Sequence, residues 1–187
     1  MRITVYCGAS LGNDEIYKNA AIEMGRWIVN NGHQLVYGGG KLGLMGIVSD
    51  TVMSEGGEVT GIITHFLTER ELANEDITKL IKVDTMPERK KIMIDLGEVY
   101  IALPGGPGTL EEITEVVSWA RIGQNSNPCI FFNINNYYEP IKNMFDNMVN
   151  SGFLTAEDRD KFLFTTSYEE MENFIKTYTP PVTRKYK

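Results

Sequence analysis

Short runs of β-branched and aromatic residues alternate with longer amphipathic stretches along nearly the whole chain. We interpret the short runs as seven strands, over residues 3–7, 34–37, 58–63, 79–83, 99–103, 129–133 and 162–165. The stretches between them are predicted to be helices, over residues 14–31, 44–55, 87–97, 110–122, 138–151 and 168–178. Strands that alternate with helices pair in parallel, and the helices cover the sheet. The predicted fold class is therefore α/β, with a doubly wound, mostly parallel sheet of about seven strands flanked by helices.

The chain is predicted to form one domain, because no repeat, low-complexity tract or Pro/Ser-rich linker interrupts it before Thr179. Its 187 residues, of which 42% are hydrophobic, suffice to bury a full core. We assign residues 1–178 to this domain and residues 179–187, which carry two prolines and a basic end, to a C-terminal tail.

Charge and hydropathy exclude two classes of partner. A net charge of −7 argues against a nucleic-acid polymer, whose binding needs clustered Lys and Arg. The longest apolar runs, of about six residues, are far shorter than the roughly 20 of a membrane span, and the N-terminus does not resemble a signal peptide. Cys7 and Cys129 lack a CxxC partner and fit reduced core residues. These features predict a cytoplasmic protein and still allow a small anionic ligand.

Three of the predicted strands end in glycine-rich loops, over residues 7–12, 37–46 and 103–112. The carboxyl ends of parallel strands meet at one edge of a doubly wound sheet, where ligands bind. Glycines let backbone N–H groups approach an anion, and the helix that follows adds the positive end of its dipole. The three loops together predict a ligand that carries a phosphate.

The first loop matches G-x-S-x-G over residues 8–12, the pattern of a serine nucleophile at a strand-to-helix turn. A catalytic triad would also need an Asp and then a His later in the chain. His33 falls at the opposite edge of the predicted sheet, and no acid at a late strand end precedes His65. We therefore interpret Ser10 as a turn hydroxyl or as a hydrogen-bond donor to a phosphate.

The second loop matches the dinucleotide pattern G-x-G-x-x-G over residues 38–43. A nicotinamide cofactor would need an acid at the end of the next strand, where Thr64 and His65 stand instead. A Walker loop would need Ser or Thr in place of Leu42 to bind magnesium. Two interpretations stay open: Gly39 and Gly40 contact the ligand, or they permit close packing of a turn.

The third loop leads into a helix that opens with two carboxylates, Glu111 and Glu112. Thr109 and Glu112 fit a capping box, in which Thr109 is the N-cap and Glu112 satisfies a backbone N–H. Helical spacing places Glu111 on one face with Ser118, and Glu112 on a face with Trp119 beside the apolar stripe. We expect Glu111 to be solvated and Glu112 to be partly buried.

Arg89, Lys90 and Lys91 form a cationic cluster in an otherwise acidic chain. Thr85 and Glu88 fit a second capping box, which places Arg89 early in a helix at the same edge of the sheet. The cluster is either a solvated face in which Arg89 pairs with an acid, or a site where its planar guanidinium meets a phosphate or a developing negative charge. The neighbouring glycine loops favour the second interpretation.

At these motifs the chain resembles the Lonely Guy (LOG) family, the cytokinin riboside 5'-monophosphate phosphoribohydrolases, many of which carry the older label "possible lysine decarboxylase". Residues 104–112 match the family's PGGxGTxxE motif, and residues 86–90 match its M-x-x-R-K segment. Residues 7–10, 38–40 and 43–46 match its first two loops, so the resemblance covers about residues 3–128. It implies a Rossmann-like homodimer that cleaves the N-glycosidic bond of an N6-substituted AMP, releasing the free base and ribose 5-phosphate.

Carried over position by position, the resemblance implies that Arg89 and Glu112 are the catalytic pair. The residues implied to bind the substrate are Gly8, Ser10, Gly39, Gly40, Glu71, Met86, Lys90, Gly105, Gly106, Pro107, Gly108, Thr109, Leu110, Glu111 and Ser118. The implied partner is a small-molecule nucleoside monophosphate, with no metal and no cofactor. The chain departs from the family at Pro87, where members often have His, and at Asn125 and Asn127, near which they often have a His and a Lys. These departures bear on base preference and dimer type.

Other functions stay open from the residues alone. A general purine (AMP) nucleosidase would share the site and differ around the N6 position, and a nucleotide-binding module would use the same fold without turnover. The presence of both Arg89 and Glu112 favours an enzyme. A pyridoxal-phosphate decarboxylase, which the older family label suggests, would need an aldimine lysine, an acid for the pyridine nitrogen and a longer chain.

Overall fold

Seven parallel strands form the central sheet of the protein, whose structure is a computed structural model describing residues 1–68 and 72–183. The strands are β1 (Arg2–Tyr6), β2 (Gln34–Tyr37), β3 (Val59–Thr64), β4 (Lys79–Val83), β5 (Val99–Ala102), β6 (Cys129–Phe132) and β7 (Phe162–Thr165). They lie in the order β4-β3-β2-β1-β5-β6-β7, and every neighbouring pair is parallel. The predicted fold class is confirmed, and each predicted strand is present with its ends within about one residue.

Helices follow the strands in the alternation that the sequence predicts. They are α1 (Glu15–Asn30), α2 (Gly43–Ser54), α3 (His65–Thr68), α4 (Met86–Leu96), α5 (Pro107–Arg121), α6 (Glu139–Asn150), α7 (Ala156–Arg159) and α8 (Tyr168–Thr177), with a 3-10 turn at Ile134–Asn136. The helices α3 and α7 were not predicted, since a helix of one turn is too short to show a 3.6-residue period. Across residues 1–68 and 72–183, no helix has the length and apolar character of a membrane span.

The two faces of the sheet bury separate hydrophobic clusters. On β1, Ile3 and Val5 point to the face that α1, α2 and α8 cover, whereas Tyr6 points to the face that α4, α5 and α6 cover. The strand order reverses at β1 and β5, so the helices after these two strands go to opposite faces. Such a reversal opens a crevice between the two loops, which is where doubly wound sheets bind ligands.

The segment after α8 corresponds to the predicted tail. It is described as far as Thr183, and the hydroxyl of Thr179 accepts a hydrogen bond of 2.8 Å from Lys161 Nζ. Residues 184–187 lie outside the described residues. The division into a domain over 1–178 and a tail over 179–187 stays a prediction.

Candidate active site

A cavity of about 410 Å³ opens at the carboxyl edge of the sheet. Of the residues implied by the family motifs, it is lined by Met86, Arg89, Gly106, Gly108, Thr109, Glu111 and Glu112. The structure therefore brings the third glycine loop and the start of α4 to one site. A cavity of this size is in the range that holds small-molecule ligands.

Glu112 lies on α5 with most of its side chain shielded from solvent. The helix begins at Pro107 and has Gly106 as its N-cap, so the predicted capping box of Thr109 and Glu112 is wrong. Proline is favoured at the first helical position because its φ is already helical and a missing N–H costs nothing there. Glu112 consequently follows the first turn, where its side chain is 11% exposed and lines the cavity. The expectation that Glu112 is partly buried is confirmed.

Arg89 faces Glu112 across the cavity and is almost fully buried. Its Nη1 lies 3.4 Å from Oε1 of Glu112, and its Nε and Nη2 donate to the backbone carbonyls of Ile62 (2.9 Å) and Gly38 (3.0 Å). These carbonyls belong to β3 and to the residue after β2, so the sheet itself fixes the guanidinium. The first interpretation of the cationic cluster is wrong about Arg89 being solvated, since Arg89 is 5% exposed, but its pairing of Arg89 with an acid is confirmed by Glu112.

Gly38 makes room for the Arg89 guanidinium, a role that the sequence did not show. A Cβ atom at this position would lie 2.1 Å from Arg89 Nη2, far inside van der Waals contact. The clash is with the tip of a side chain rather than with backbone, so a larger residue at 38 would displace the guanidinium. The family resemblance matches Gly38 without naming it as a site residue; only the position of Arg89 reveals what it does.

Lys90 points away from the cavity, although the resemblance implied that it contacts the nucleotide. Its Nζ lies 2.7 Å from Glu111 Oε1 and 3.0 Å from Glu115 Oε2, both on α5. The hydrogen bond that its ammonium donates to Glu111 raises the pKa of Lys90 above its usual value. Glu111 is 57% exposed, which confirms that it is solvated. Lys90 therefore ties α4 to α5 and is absent from the residues that line the cavity.

The first turn of α5 lies at the cavity. Gly106, Gly108 and Thr109 line it, and N–H groups in the first turn of a helix have no partner within that helix. The N-terminus of α2 differs, since the N–H groups of Leu44 and Met45 donate to Gly8 O at 3.0 and 3.3 Å. Of these two glycine-rich helix starts, α5 offers the anion-binding one.

The second glycine loop packs closely against its neighbours, which agrees with the interpretation that its glycines permit close packing of a turn. Gly39 has a φ of 76°, and a Cβ there would lie 3.0 Å from the Ile63 side chain. Gly40 forms a bridge with Ala73. A Cβ on Gly43 would lie 2.3 Å from the carbonyl carbon of Ala9 in the first loop. Neither Gly39 nor Gly40 is among the residues that line the cavity.

Apolar side chains that the sequence did not assign to the site form the rest of the cavity wall. They are Met45 on α2, Phe66 and Leu67 on α3, and Cys7 after β1. Burial raises the pKa of the Cys7 thiol and the charge of Glu112 raises it further, so the thiol stays protonated and is a poor nucleophile. The position of Phe66 and Leu67 just after β3 could have indicated them, because loops at strand carboxyl ends bound the site.

The other implied residues that the structure describes do not line this cavity. Ser10 and Gly105 line a neighbouring cleft of about 260 Å³, and Pro107 and Leu110 line another of about 430 Å³. Gly8 is buried behind the cavity, where its N–H donates to Pro104 O at 3.1 Å. Ser118 is exposed on α5. Glu71 lies outside the described residues.

The three departures from the family pattern have local structural roles. Pro87 lies in the first turn of α4, where Thr85 Oγ1 accepts from the Glu88 N–H as predicted. Asn125 Nδ2 donates to Asn127 O, and Asn127 Nδ2 donates to Gly97 O, both at 3.1 Å. The two asparagines therefore hold the turn between α5 and β6.

Comparison with known proteins identifies relatives over almost the whole chain. The family model described as "Possible lysine decarboxylase" matches residues 45–175. A cytokinin riboside 5'-monophosphate phosphoribohydrolase of Arabidopsis thaliana is 39% identical over 96% of this chain and 84% of its own length. One of Oryza sativa subsp. japonica is 38% identical over 96% of this chain and 74% of its own length.

Solved structures match the fold at much lower identity. The molybdenum cofactor carrier protein of Chlamydomonas reinhardtii is 17% identical, with a TM-score of 0.68 over 94% of this chain and 95% of that one. The molybdenum cofactor binding protein of Rippkaea orientalis is 19% identical, also with a TM-score of 0.68 over 94% of this chain and 95% of that one. At such identities the similarity shows a shared fold and says nothing about a shared ligand.

Proposed function

The chain belongs to the family of cytokinin riboside 5'-monophosphate phosphoribohydrolases, and on that basis we propose that it hydrolyses the N-glycosidic bond of an N6-substituted AMP. The products would be the free base and ribose 5-phosphate. The observation that carries the proposal is the shielded carboxylate of Glu112, fixed by Arg89 in the same cavity as the first turn of α5. One cavity thus offers a carboxylate for the sugar and N–H groups for the phosphate.

Glu112 would act on the ribose. Cleavage of the C1′–N9 bond passes through an oxocarbenium-like state, in which positive charge develops on the sugar. A carboxylate beside C1′ stabilises this charge or orients the attacking water. The shielded position of Glu112 strengthens both effects, because a charge interacts more strongly where water is excluded.

Arg89 would orient Glu112. Two of its nitrogens already bind backbone carbonyls, so the guanidinium cannot turn freely. Its Nη1 lies toward Glu112 and 3.9 Å from Met86 Sδ at the cavity wall. From this position Nη1 can also stabilise negative charge on the departing purine.

The first turn of α5 would hold the 5′-phosphate. The N–H groups of Gly108 and Thr109 and the positive end of the helix dipole favour an anion there. Binding energy from the phosphate, which does not react, can be used to lower the barrier at the glycosidic bond. A nucleoside that lacks the phosphate should therefore be a poor substrate.

The apolar wall favours an N6-substituted base over plain AMP. Met45, Leu67 and Met86 supply apolar surface that an adenine amino group would not need, and that an alkyl group on N6 would bury. The general AMP nucleosidase remains the second candidate, and a binding module without turnover the third. These three functions differ in which compounds release free base.

We expect the purified protein to release free base from N6-isopentenyl-AMP, more slowly from AMP, and least from N6-isopentenyladenosine. A chromatographic assay of the three compounds measures this order. Faster cleavage of AMP would indicate the general nucleosidase. Release of no base from any of them, together with a rise in melting temperature on adding AMP, would leave a binding module and overturn the hydrolase proposal.

Two glycines in one loop should respond in opposite ways to alanine. A Cβ on Gly108 meets nothing within 4 Å, so Gly108→Ala should leave the melting temperature unchanged while its methyl crowds the phosphate, raising KM for the monophosphate about tenfold. A Cβ on Gly105 would lie 2.2 Å from Thr109 Oγ1 and 2.8 Å from Gly8 N, so Gly105→Ala should lower the free energy of unfolding by about 1–3 kcal/mol. Thermal unfolding and steady-state kinetics on both variants test this. An unchanged KM for Gly108→Ala would place the phosphate elsewhere.

The assembly and the compartment are also proposals. The resemblance implies a homodimer, which light scattering would detect as twice the chain mass of 21.1 kDa. The cytoplasmic location follows from the sequence arguments alone, and fluorescence microscopy of a tagged chain would test it.

A further inference from the structure

Tyr137 contacts the glycine loop before α5 but does not line the active-site cavity. We propose that it is a positioning residue, whose hydroxyl fixes the Gly105–Gly106 peptide so that the Gly106 N–H faces the substrate phosphate. This inference rests on the proposed function, because it concerns the phosphate of that substrate. Tyr137 was not among the residues implied by the sequence.

The hydroxyl of Tyr137 donates to the carbonyl oxygen of Gly105 at 2.5 Å. Tyr137 follows the 3-10 turn at Ile134–Asn136 and lines the two clefts of about 260 and 430 Å³, which also border Gly105 and Gly106. The residues that line the 410 Å³ cavity include Gly106 but not Tyr137. Tyr137 therefore contacts the loop without lining the cavity, and it does not touch a substrate bound there.

The hydrogen bond from Tyr137 to the Gly105 carbonyl also fixes the direction of the Gly106 N–H, because both groups belong to the same planar peptide. A trans peptide is planar, and its C=O and N–H point in opposite directions. With the Gly105 carbonyl directed at Tyr137, the N–H of Gly106 is directed away from Tyr137. We infer that it faces the cavity, which Gly106 lines and Tyr137 does not. This N–H then joins those of Gly108 and Thr109. Glycine at 105 and 106 would let the peptide turn freely without such a restraint.

The segment that carries Tyr137 is itself restrained. The Tyr137 ring packs edge-on against Tyr17 at 6.0 Å and against Tyr138 at 5.1 Å between ring centroids. Asn135 and Asn136 before it adopt φ values of 53° and 56°, in the left-handed region that asparagine enters more readily than most other residues. Because these contacts restrict the Tyr137 side chain, its hydroxyl can fix the position of the Gly105 carbonyl.

Tyr138 provides a matched control on the same segment and the same loop. Its hydroxyl donates to Leu103 O at 2.7 Å, and the ring is buried. The residue after Leu103 is Pro104, which has no N–H, so this contact orients no donor. Removing the Tyr138 hydroxyl should lower stability without changing recognition of the phosphate.

The test compares binding of AMP and adenosine to the wild type, Tyr137→Phe and Tyr138→Phe by calorimetry. For Tyr137→Phe we expect AMP affinity to fall about tenfold, the effect of one hydrogen bond to a charged group, with adenosine affinity unchanged. For Tyr138→Phe we expect the ratio of the two affinities to stay at the wild-type value while the melting temperature falls. A purely structural role for Tyr137 would weaken both ligands alike.

The outcome is separate from that of the proposed function, because each binding titration uses protein that also carries Glu112→Gln, so that AMP binds without being hydrolysed. A wild type that binds AMP but releases no base would overturn the hydrolase proposal. The ratio of AMP affinity to adenosine affinity in Tyr137→Phe would still test whether Tyr137 positions the loop. If Tyr137→Phe leaves the ratio of AMP affinity to adenosine affinity unchanged, the positioning role is overturned. It is also overturned if Tyr138→Phe lowers this ratio as much as Tyr137→Phe does. A wild type that binds AMP no more tightly than adenosine would overturn it as well.

Discussion

Replacing Glu112 by glutamine should lower kcat for the N6-substituted monophosphate by about a thousandfold, within the range of a general acid–base residue. The amide keeps the shape of the side chain and removes the charge that stabilises the developing oxocarbenium ion. The substitution leaves the proposed phosphate site on the first turn of α5 unchanged, so KM should change little. Single-turnover and steady-state assays of base release measure both parameters.

The neighbouring carboxylate provides the control for this variant. Glu111 lines the rim of the same cavity, is more than half exposed and pairs with Lys90. Glu111→Gln changes the charge by the same amount one residue away, and we expect its kcat to stay within about threefold of wild type, as for a screened surface charge. A kcat of Glu112→Gln within tenfold of wild type would remove Glu112 from the chemical step. Equal losses in both variants would indicate a general charge effect instead.

The fold could be predicted from the sequence because each element carries its own signal. Every strand is a short apolar run, and the glycines and capping residues mark the ends of most helices. The start of α5 is the exception, since Thr109 and Glu112 form a plausible capping box that competes with Gly106 and Pro107. Proline at the first helical position favours a start at Pro107, which places Glu112 beyond the first turn of the helix.

The pairing of Arg89 with Glu112 could not be predicted from spacing, because it depends on the order of strands. The two residues are 23 positions apart, on helices that follow β4 and β5. Their contact requires Arg89 to lie over the ends of β2 and β3, where Ile62 and Gly38 supply the carbonyls. Family motifs indicated both residues without showing that one positions the other. The same motifs also implied that Lys90 contacts the nucleotide. In the structure Lys90 instead pairs with Glu111 and Glu115 on α5 and does not line the cavity.

Arg89→Met should destabilise the protein more than the other single substitutions, because it removes a buried charge and leaves two carbonyls and a carboxylate without the guanidinium. The carbonyls of Gly38 and Ile62 and the carboxylate of Glu112 all lose the guanidinium. Breaking a buried pair on one side costs about 3–5 kcal/mol, which corresponds to a fall in melting temperature of about 10 °C for a chain of this length. Thermal unfolding measures this fall, and Lys91→Met on the same helix, where an exposed pair with Asp95 is lost, should change stability by less than about 1 kcal/mol.

A double-mutant cycle distinguishes the loss of positioning from the loss of stability. If Arg89 acts through Glu112, Arg89→Met combined with Glu112→Gln should lower kcat little more than Glu112→Gln alone, and should recover part of the lost stability because the buried carboxylate is gone. Gly38→Ala tests the same contact with every charge retained, since its methyl displaces the Arg89 guanidinium. It should lower kcat while costing less stability than Arg89→Met. Additive losses in the cycle would show that Arg89 acts on the reaction independently of Glu112, as on the departing purine. A Gly38→Ala variant with wild-type kcat would show that Glu112 works without this placement of Arg89.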